Sequence, residues 1–319
     1  MQASRVVIVG TGGTIAGVAG RADDLVDYRA GTLDAADLVA AVPTLAGQPL
    51  ETETLARLDS SDMDHATWLA LHARLVALMQ RAELAGVVVT HGTDTLEETA
   101  YFLHRTLAAP RPVVLTAAMR PATALSPDGP RNLADAVAVA RTPGAGGVVV
   151  AFGGRVLAGH EVRKVHGFAL DAFSTGDAGP IAVSEQGALR LLRGWPQAPL
   201  HAAATRLSAA HAAGAAAALP WPRVDIVTSH AGADGRVIDA LLAAGAQGIV
   251  VAGTGNGSVH AALDAAARRA LAAGVRVVRA SRCQLGGVVG ERADALPSYG
   301  VLTAAQARVE LLLDLLAAA

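Results

Sequence analysis

Short apolar runs alternate along the chain with Ala- and Leu-rich stretches of helical spacing. The runs predict strands at Val6–Val9, Val87–Thr90, Val113–Thr116, Gly147–Phe152, Asp225–Thr228, Gly248–Val251 and Arg276–Arg279. The stretches between them predict helices near residues 34–41, 64–83, 96–107, 131–141, 236–244, 258–273 and 304–317. Strands that are apolar on both faces are parallel and covered on both sides, and their alternation with helices makes an α/β sheet. The alternation lapses between about Leu191 and Arg223, where Pro196, Pro199, Pro220 and Pro222 accompany an alanine-rich run. The expected organisation is a larger N-terminal α/β domain over residues 1–192, its mostly parallel sheet flanked by helices. A partly helical linker over 193–222 and a smaller parallel α/β domain over 223–319 follow. Ligands of such sheets bind beyond the C-terminal ends of the strands, so the residues after each strand are the first place to look for chemistry.

Composition narrows the class. With 52% hydrophobic and 17% charged residues the chain is not disordered, and with 3% aromatics its core is built from Ala, Val and Leu. A net charge of −2 offers no basic excess for nucleic acid or an anionic membrane surface, so neither is an expected partner. The lone Cys283 excludes an intrachain disulfide and a cysteine-rich metal site, fits a reducing compartment, and is expected to be buried as a small apolar residue. No basic segment, apolar run and small-residue cleavage site precede the first strand, so a cytoplasmic location is expected. The alanine-rich stretches near 202–219 and 261–273 carry His or Arg and do not read as membrane spans.

After the first strand comes Gly10-Thr11-Gly12-Gly13-Thr14-Ile15-Ala16-Gly17. A dinucleotide loop requires a third glycine where Ile15 stands, and no Lys-Ser or Lys-Thr pair follows to make a P-loop. The segment is either a tight strand-to-helix turn or a loop presenting two threonines. After the Val87–Thr90 strand comes His91-Gly92-Thr93-Asp94-Thr95-Leu96-Glu97-Glu98, in which Thr95 and Glu98 have the spacing of a capping box. Thr93 and Asp94 thus precede a helix N-terminus, where backbone amides favour an anion. Hydroxyls on two separate strand ends, with no metal motif and no cofactor motif, point to nucleophilic catalysis by threonine. Threonine needs a base or a proton path. Lys164 is the only lysine in the chain, and a lysine, unlike an arginine, can titrate in a protein. His91 is read as structural, Tyr101, Phe102 and Leu103 as core, and the sequon Asn256-Gly257-Ser258 as chance.

These segments resemble the bacterial L-asparaginase family. Thr11–Gly17 is similar to its first signature and Gly86–Ala100 to its second, nearly residue for residue. The likeness continues through Leu115–Pro121, Asp128–Leu133, Gly253–Gly257 and Ala280–Arg282, so it covers almost the whole chain apart from the linker. The resemblance implies hydrolysis of L-asparagine to L-aspartate and ammonia through an acyl-enzyme, without a cofactor. It implies that Thr14 is the nucleophile and Tyr28 its assistant on a mobile loop, and that Thr93, Lys164 and Asp94 form a second group. Ser60 matches a residue for the substrate carboxylate, and Asp94 also matches the carboxylate receiving its ammonium. Asn256 and Glu291 match residues that reach the site from a neighbouring subunit, within a tetramer of paired dimers.

One departure stands inside the substrate loop. The family commonly carries Ser-Gln-Asp-Met, and this chain reads Ser60-Ser61-Asp62-Met63, so Ser61 occupies the place of a glutamine that contacts the substrate ammonium. The segment Gly286–Pro297 around Glu291 also departs from the usual pattern. The sequence leaves open which threonine attacks first and whether asparagine or glutamine is preferred. Rival functions are a glutaminase-asparaginase, a subunit of a transamidation complex, a nucleotide-binding oxidoreductase and a non-catalytic amino-acid sensor. A transamidation subunit should carry an added partner-binding region, for which this length leaves no room. A sensor should have lost Thr14, Thr93 or Lys164, and all three are present.

Overall fold

The computed structural model describes residues 5–197, 199–214, 219–290 and 293–319. They form two compact units, Met1–Leu200 and His201–Ala319. The first unit is built on eight strands: β1 (Arg5–Gly12), β2 (Leu50–Leu58), β3 (Leu84–Thr90), β4 (Val113–Thr116), β5 (Val148–Phe152), β6 (Arg155–Ala158), β7 (Ala182–Glu185) and β8 (Ala188–Leu191). Their spatial order is β8-β7-β6-β5-β4-β3-β1-β2. The five strands from β5 to β2 run parallel, and β6, β7 and β8 add antiparallel neighbours at one edge. Four helices belong to this unit: α1 (Ala35–Ala40), α2 (His65–Met79), α3 (Leu96–Thr106) and α4 (Gly129–Ala140). Val6, Ile8, Val88, Val114 and Val149 from alternate strand positions pack with Leu133, Ala136 and Val137 of α4 on one side of the sheet.

The second unit has a four-stranded parallel sheet, β9 (Val224–Thr228), β10 (Gly248–Gly253), β11 (Arg276–Ser281) and β12 (Ser298–Thr303), in that order. Its helices are α5 (Ala203–Ala212), α6 (Arg236–Ala243), α7 (Ala261–Ala272) and α8 (Ala304–Ala318). Ile249 and Val251 pack toward α6 and α7 with Leu263, Ala266 and Ala267, while Val250 and Val278 face Leu311 and Leu312 of α8. Each predicted strand is present within a few residues of its expected limits. The sequence pattern missed β2, β6, β7, β8 and β12. Along β2, Leu50–Leu58, no residue is fully buried, so charged and apolar side chains mix without a continuous apolar run. Helix α5 lies inside the proline-punctuated stretch expected to be a linker, and His201 next to it bonds Asp314 of α8 at 3.1 Å. Cys283 is exposed, not buried as expected, because it lies beyond the end of β11. Among the described residues no helix is long and apolar enough to cross a membrane.

Candidate active site

Strands β2, β1 and β3 are neighbours, and the chain leaves their C-terminal ends with Ser60, Thr14 and Thr93 respectively. One sheet edge therefore gathers three hydroxyl residues that lie far apart in sequence. Two glycines make the approach possible. Gly13 has φ 80° and ψ −178°, a conformation open essentially to glycine alone, and its amide bonds the Leu58 carbonyl at 2.8 Å. A Cβ on Gly13 would lie 2.3 Å from the Gly92 Cα, and a Cβ on Gly92 would lie 2.4 Å from the Ser60 hydroxyl oxygen.

Thr14 begins a single 3₁₀ turn, Thr14–Ala16, and is buried. Its hydroxyl lies 2.7 Å from the Tyr28 hydroxyl. Tyr28 returns to Thr14 because Tyr28–Arg29 pairs antiparallel with Val18–Ala19, closing a small hairpin. Gly17 fits under the Tyr28 ring, where a Cβ would come within 2.9 Å of ring carbon Cδ2. The hairpin is tied to the segment at 121–125 through Ala122 N to the Gly17 carbonyl, Ala19 N to the Thr123 hydroxyl and Leu125 N to the Ala22 carbonyl. Gly17 is thus a packed position, whereas Gly20 is open to solvent.

The second group centres on Lys164. Its ammonium donates to Thr93 Oγ1 at 2.9 Å and to Asp94 Oδ1 at 2.6 Å. The lysine side chain is largely covered and the aspartate largely exposed. Because Thr93 Oγ1 accepts from Lys164, its own O–H remains for an outgoing bond. Ser60 joins from the β2 side: its hydroxyl accepts from the Asp94 amide at 3.1 Å, and its carbonyl accepts from the Thr95 hydroxyl at 2.7 Å. This last bond replaces the expected capping box. Thr95 does stand at the N-cap of α3, but its side chain makes no capping bond, and its hydroxyl donates to the neighbouring loop instead.

Ser61 is exposed, and its hydroxyl and amide both donate to Asp59 Oδ1 at 3.0 Å. Asp59 caps the 3₁₀ turn Ser60–Asp62 and so holds the substrate-loop candidates in place. Sequence reasoning missed it, although an aspartate just before a Ser-Ser-Asp turn is a standard cap signal. His91 is fully buried. Its Nδ1 lies 2.7 Å from the Gly92 carbonyl and its Nε2 lies 3.0 Å from the Thr99 hydroxyl, which also accepts from Trp68 Nε1 at 2.8 Å. This chain places the proton on Nδ1, and burial pushes the imidazole down to about 4. The histidine is neutral and structural, orienting the peptide that precedes Thr93.

Asn256 belongs to the second unit. Its side-chain amide donates to the Val289 carbonyl at 2.8 Å and accepts from the Val289 amide at 2.7 Å, so both ends are engaged within its own chain. Glu291 lies outside the described residues.

Residues 5–197 match the family model "Asparaginase, N-terminal", and residues 223–319 match "Glutaminase/Asparaginase C-terminal domain". The chain is 36% identical to L-asparaginase 2 of Bacillus subtilis, over 86% of this chain and 72% of that protein. It is 35% identical to L-asparaginase 2 of Escherichia coli, over 97% and 88%. A glutaminase-asparaginase of Pseudomonas fluorescens is 33% identical over 91% and 79%. The crystal structure of a probable cytoplasmic L-asparaginase from Campylobacter jejuni superposes with a TM-score of 0.89 at 37% identity, covering 98% of this chain and 95% of the other.

Proposed function

The chain belongs to the asparaginase family, and from that premise we propose that it hydrolyses L-asparagine to L-aspartate and ammonia with Thr14 as nucleophile. The observation that carries the proposal is the pairing of two different hydroxyl environments at adjoining strand ends. Thr14 faces a phenol that can take or relay its proton, and Thr93 accepts from an ammonium. In the proposed reaction Thr14 Oγ attacks the side-chain amide carbon and its proton passes to the leaving nitrogen by way of Tyr28. The C–N bond breaks, ammonia departs, and an aspartyl ester remains on Thr14. Water then attacks that ester, releasing aspartate and restoring the hydroxyl. Thr93, polarised by Lys164 and Asp94, donates where negative charge develops. One such preorganised donor is typically worth about 10²–10³ in rate. Ser60 and the amides at the start of α3 receive the substrate carboxylate, and Asp94 receives its ammonium.

The family resemblance supports a homo-oligomer, a tetramer of paired dimers, in which Asn256 and Glu291 act toward a neighbouring site. The two hydrogen bonds between Asn256 and Val289 fit a part in holding the strand of chain that leads to Glu291. A cytoplasmic location is supported by the lone cysteine and by the cytoplasmic description of the Campylobacter relative. Ammonia release from L-asparagine and L-glutamine, measured side by side, tests the assignment. Turnover of asparagine with much weaker turnover of glutamine is expected. Equal turnover of both would make the protein a glutaminase-asparaginase, and no release from either would refute it.

A further inference from the structure

Lys164 is held at both ends by one short stretch of chain. Its ammonium reaches Thr93 and Asp94, and its backbone amide donates to Glu97 Oε2 at 3.0 Å. Residues 93–97 run from the strand end into the first turn of α3, so the lysine's main chain and its head are both referenced to the same helix start. Apart from this contact, Lys164 sits in a short ribbon, Arg163–Lys164 against Phe173–Ser174, continued by the Val165 amide to the Ala172 carbonyl at 2.8 Å, a small anchor for a residue that must place a charge. The four methylene groups between that backbone and the ammonium give a shift of the ribbon many ways to misplace Nζ.

We propose that Glu97 is a positioning residue of the active site, fixing the Lys164 backbone so that the ammonium meets Thr93 and Asp94. This rests on the assignment of Lys164 to the catalytic group. Glu97 touches none of the hydroxyls itself and acts through the lysine. Its surroundings give it a signature. Burial pushes the Glu97 carboxyl up to about 7, reinforced by Glu98 on its own helix and opposed by the Lys164 amide and by the charges of Arg163 and Lys164 on the ribbon. Ionised, the carboxylate is a strong acceptor for the amide. Protonated, it is a weaker one. Turnover should therefore rise as pH passes upward through about 7.

The test is the pH dependence of kcat and KM in wild type, Glu97→Gln and Glu97→Ala. Glutamine keeps an acceptor oxygen of the same reach and cannot titrate. It should hold kcat within about threefold while the step in kcat near neutral pH disappears. Alanine removes the acceptor, and a displaced catalytic group costs on the order of 10- to 100-fold in kcat. KM should stay within about twofold, because the substrate contacts of Ser60 and Asp94 are left in place. A glutamine variant whose pH profile superposes on wild type overturns the inference, even if the alanine variant fails to fold. So does an alanine variant with wild-type kcat. Lys164→Met, assayed in parallel, separates the two levels. If it retains activity, the catalytic assignment of the lysine fails. If it is inactive while the Glu97 variants behave as wild type, only the part given to Glu97 fails.

Discussion

Gly13 and Gly92 meet backbone to backbone, so closely that any Cβ on Gly13 would fall 2.3 Å from the Gly92 Cα. This contact brings Thr14 and Thr93 to one place, because each glycine directly precedes its threonine. Gly13→Ala must also force alanine into a conformation reserved for glycine, at a cost of about 1–3 kcal/mol. The loops then separate. The expected result is a stable but less stable protein with turnover lowered by about 100-fold, read from thermal melting and steady-state kinetics together. Unchanged turnover would show that the threonines do not act as one site.

Lys164 is the only lysine in the chain, and it donates to both Thr93 and Asp94. Lys164→Met should lower kcat by about 10²–10³ or more. Lys164→Arg should recover little, since a planar guanidinium cannot superimpose its donors on those of an ammonium. Full activity in the arginine variant would mean that positive charge alone suffices.

Ser61 turns its hydroxyl proton to Asp59, and its side chain is shorter than the glutamine the family commonly carries at this place. The cap itself also uses the Ser61 amide, which any side chain retains. Ser61→Gln should therefore fold normally and lower KM for both asparagine and glutamine, with kcat for asparagine within a few-fold, as expected for an added ground-state contact. An unchanged or higher KM in both substrates would show that position 61 does not face the substrate's amino end.

Burial holds His91 down at about 4 against an ordinary value near 6.5. The unfolded chain takes up a proton first, so this residue withdraws stability as pH falls from about 6.5 to about 4, by about 3 kcal/mol in total. Glu97 has the opposite sense: its raised value favours the fold below its ordinary range, and that contribution is lost as pH rises through about 7. Histidine ring resonances followed by NMR should show no titration of His91 between pH 8 and pH 5. A midpoint near 6.5 would contradict the buried, neutral ring.

The apolar strands and amphipathic helices were legible because they are buried on both faces or carry one continuous stripe. So were Thr14, Thr93, Asp94 and Lys164, each set beside glycines, a helix start or, for the lysine, alone of its kind. What stayed hidden depends on contacts between distant segments. Strand β2 has no continuous apolar run, yet it supplies the strand end that positions Ser60. Thr95 has the spacing of a capping box, but its hydroxyl is taken by Ser60, 35 residues away in sequence. Glu97 reads as an ordinary first-turn acid until the Lys164 amide is found against it, 67 residues downstream.

In the proposed reaction Thr14 supplies the attacking oxygen. The most direct measurement is ammonia release from L-asparagine by Thr14→Ala, together with calorimetric binding of asparagine to the same variant. Turnover should fall by at least about 10³-fold, as for loss of a catalytic nucleophile, while asparagine still binds through Ser60 and Asp94. A variant that keeps more than about a tenth of the wild-type kcat would contradict it.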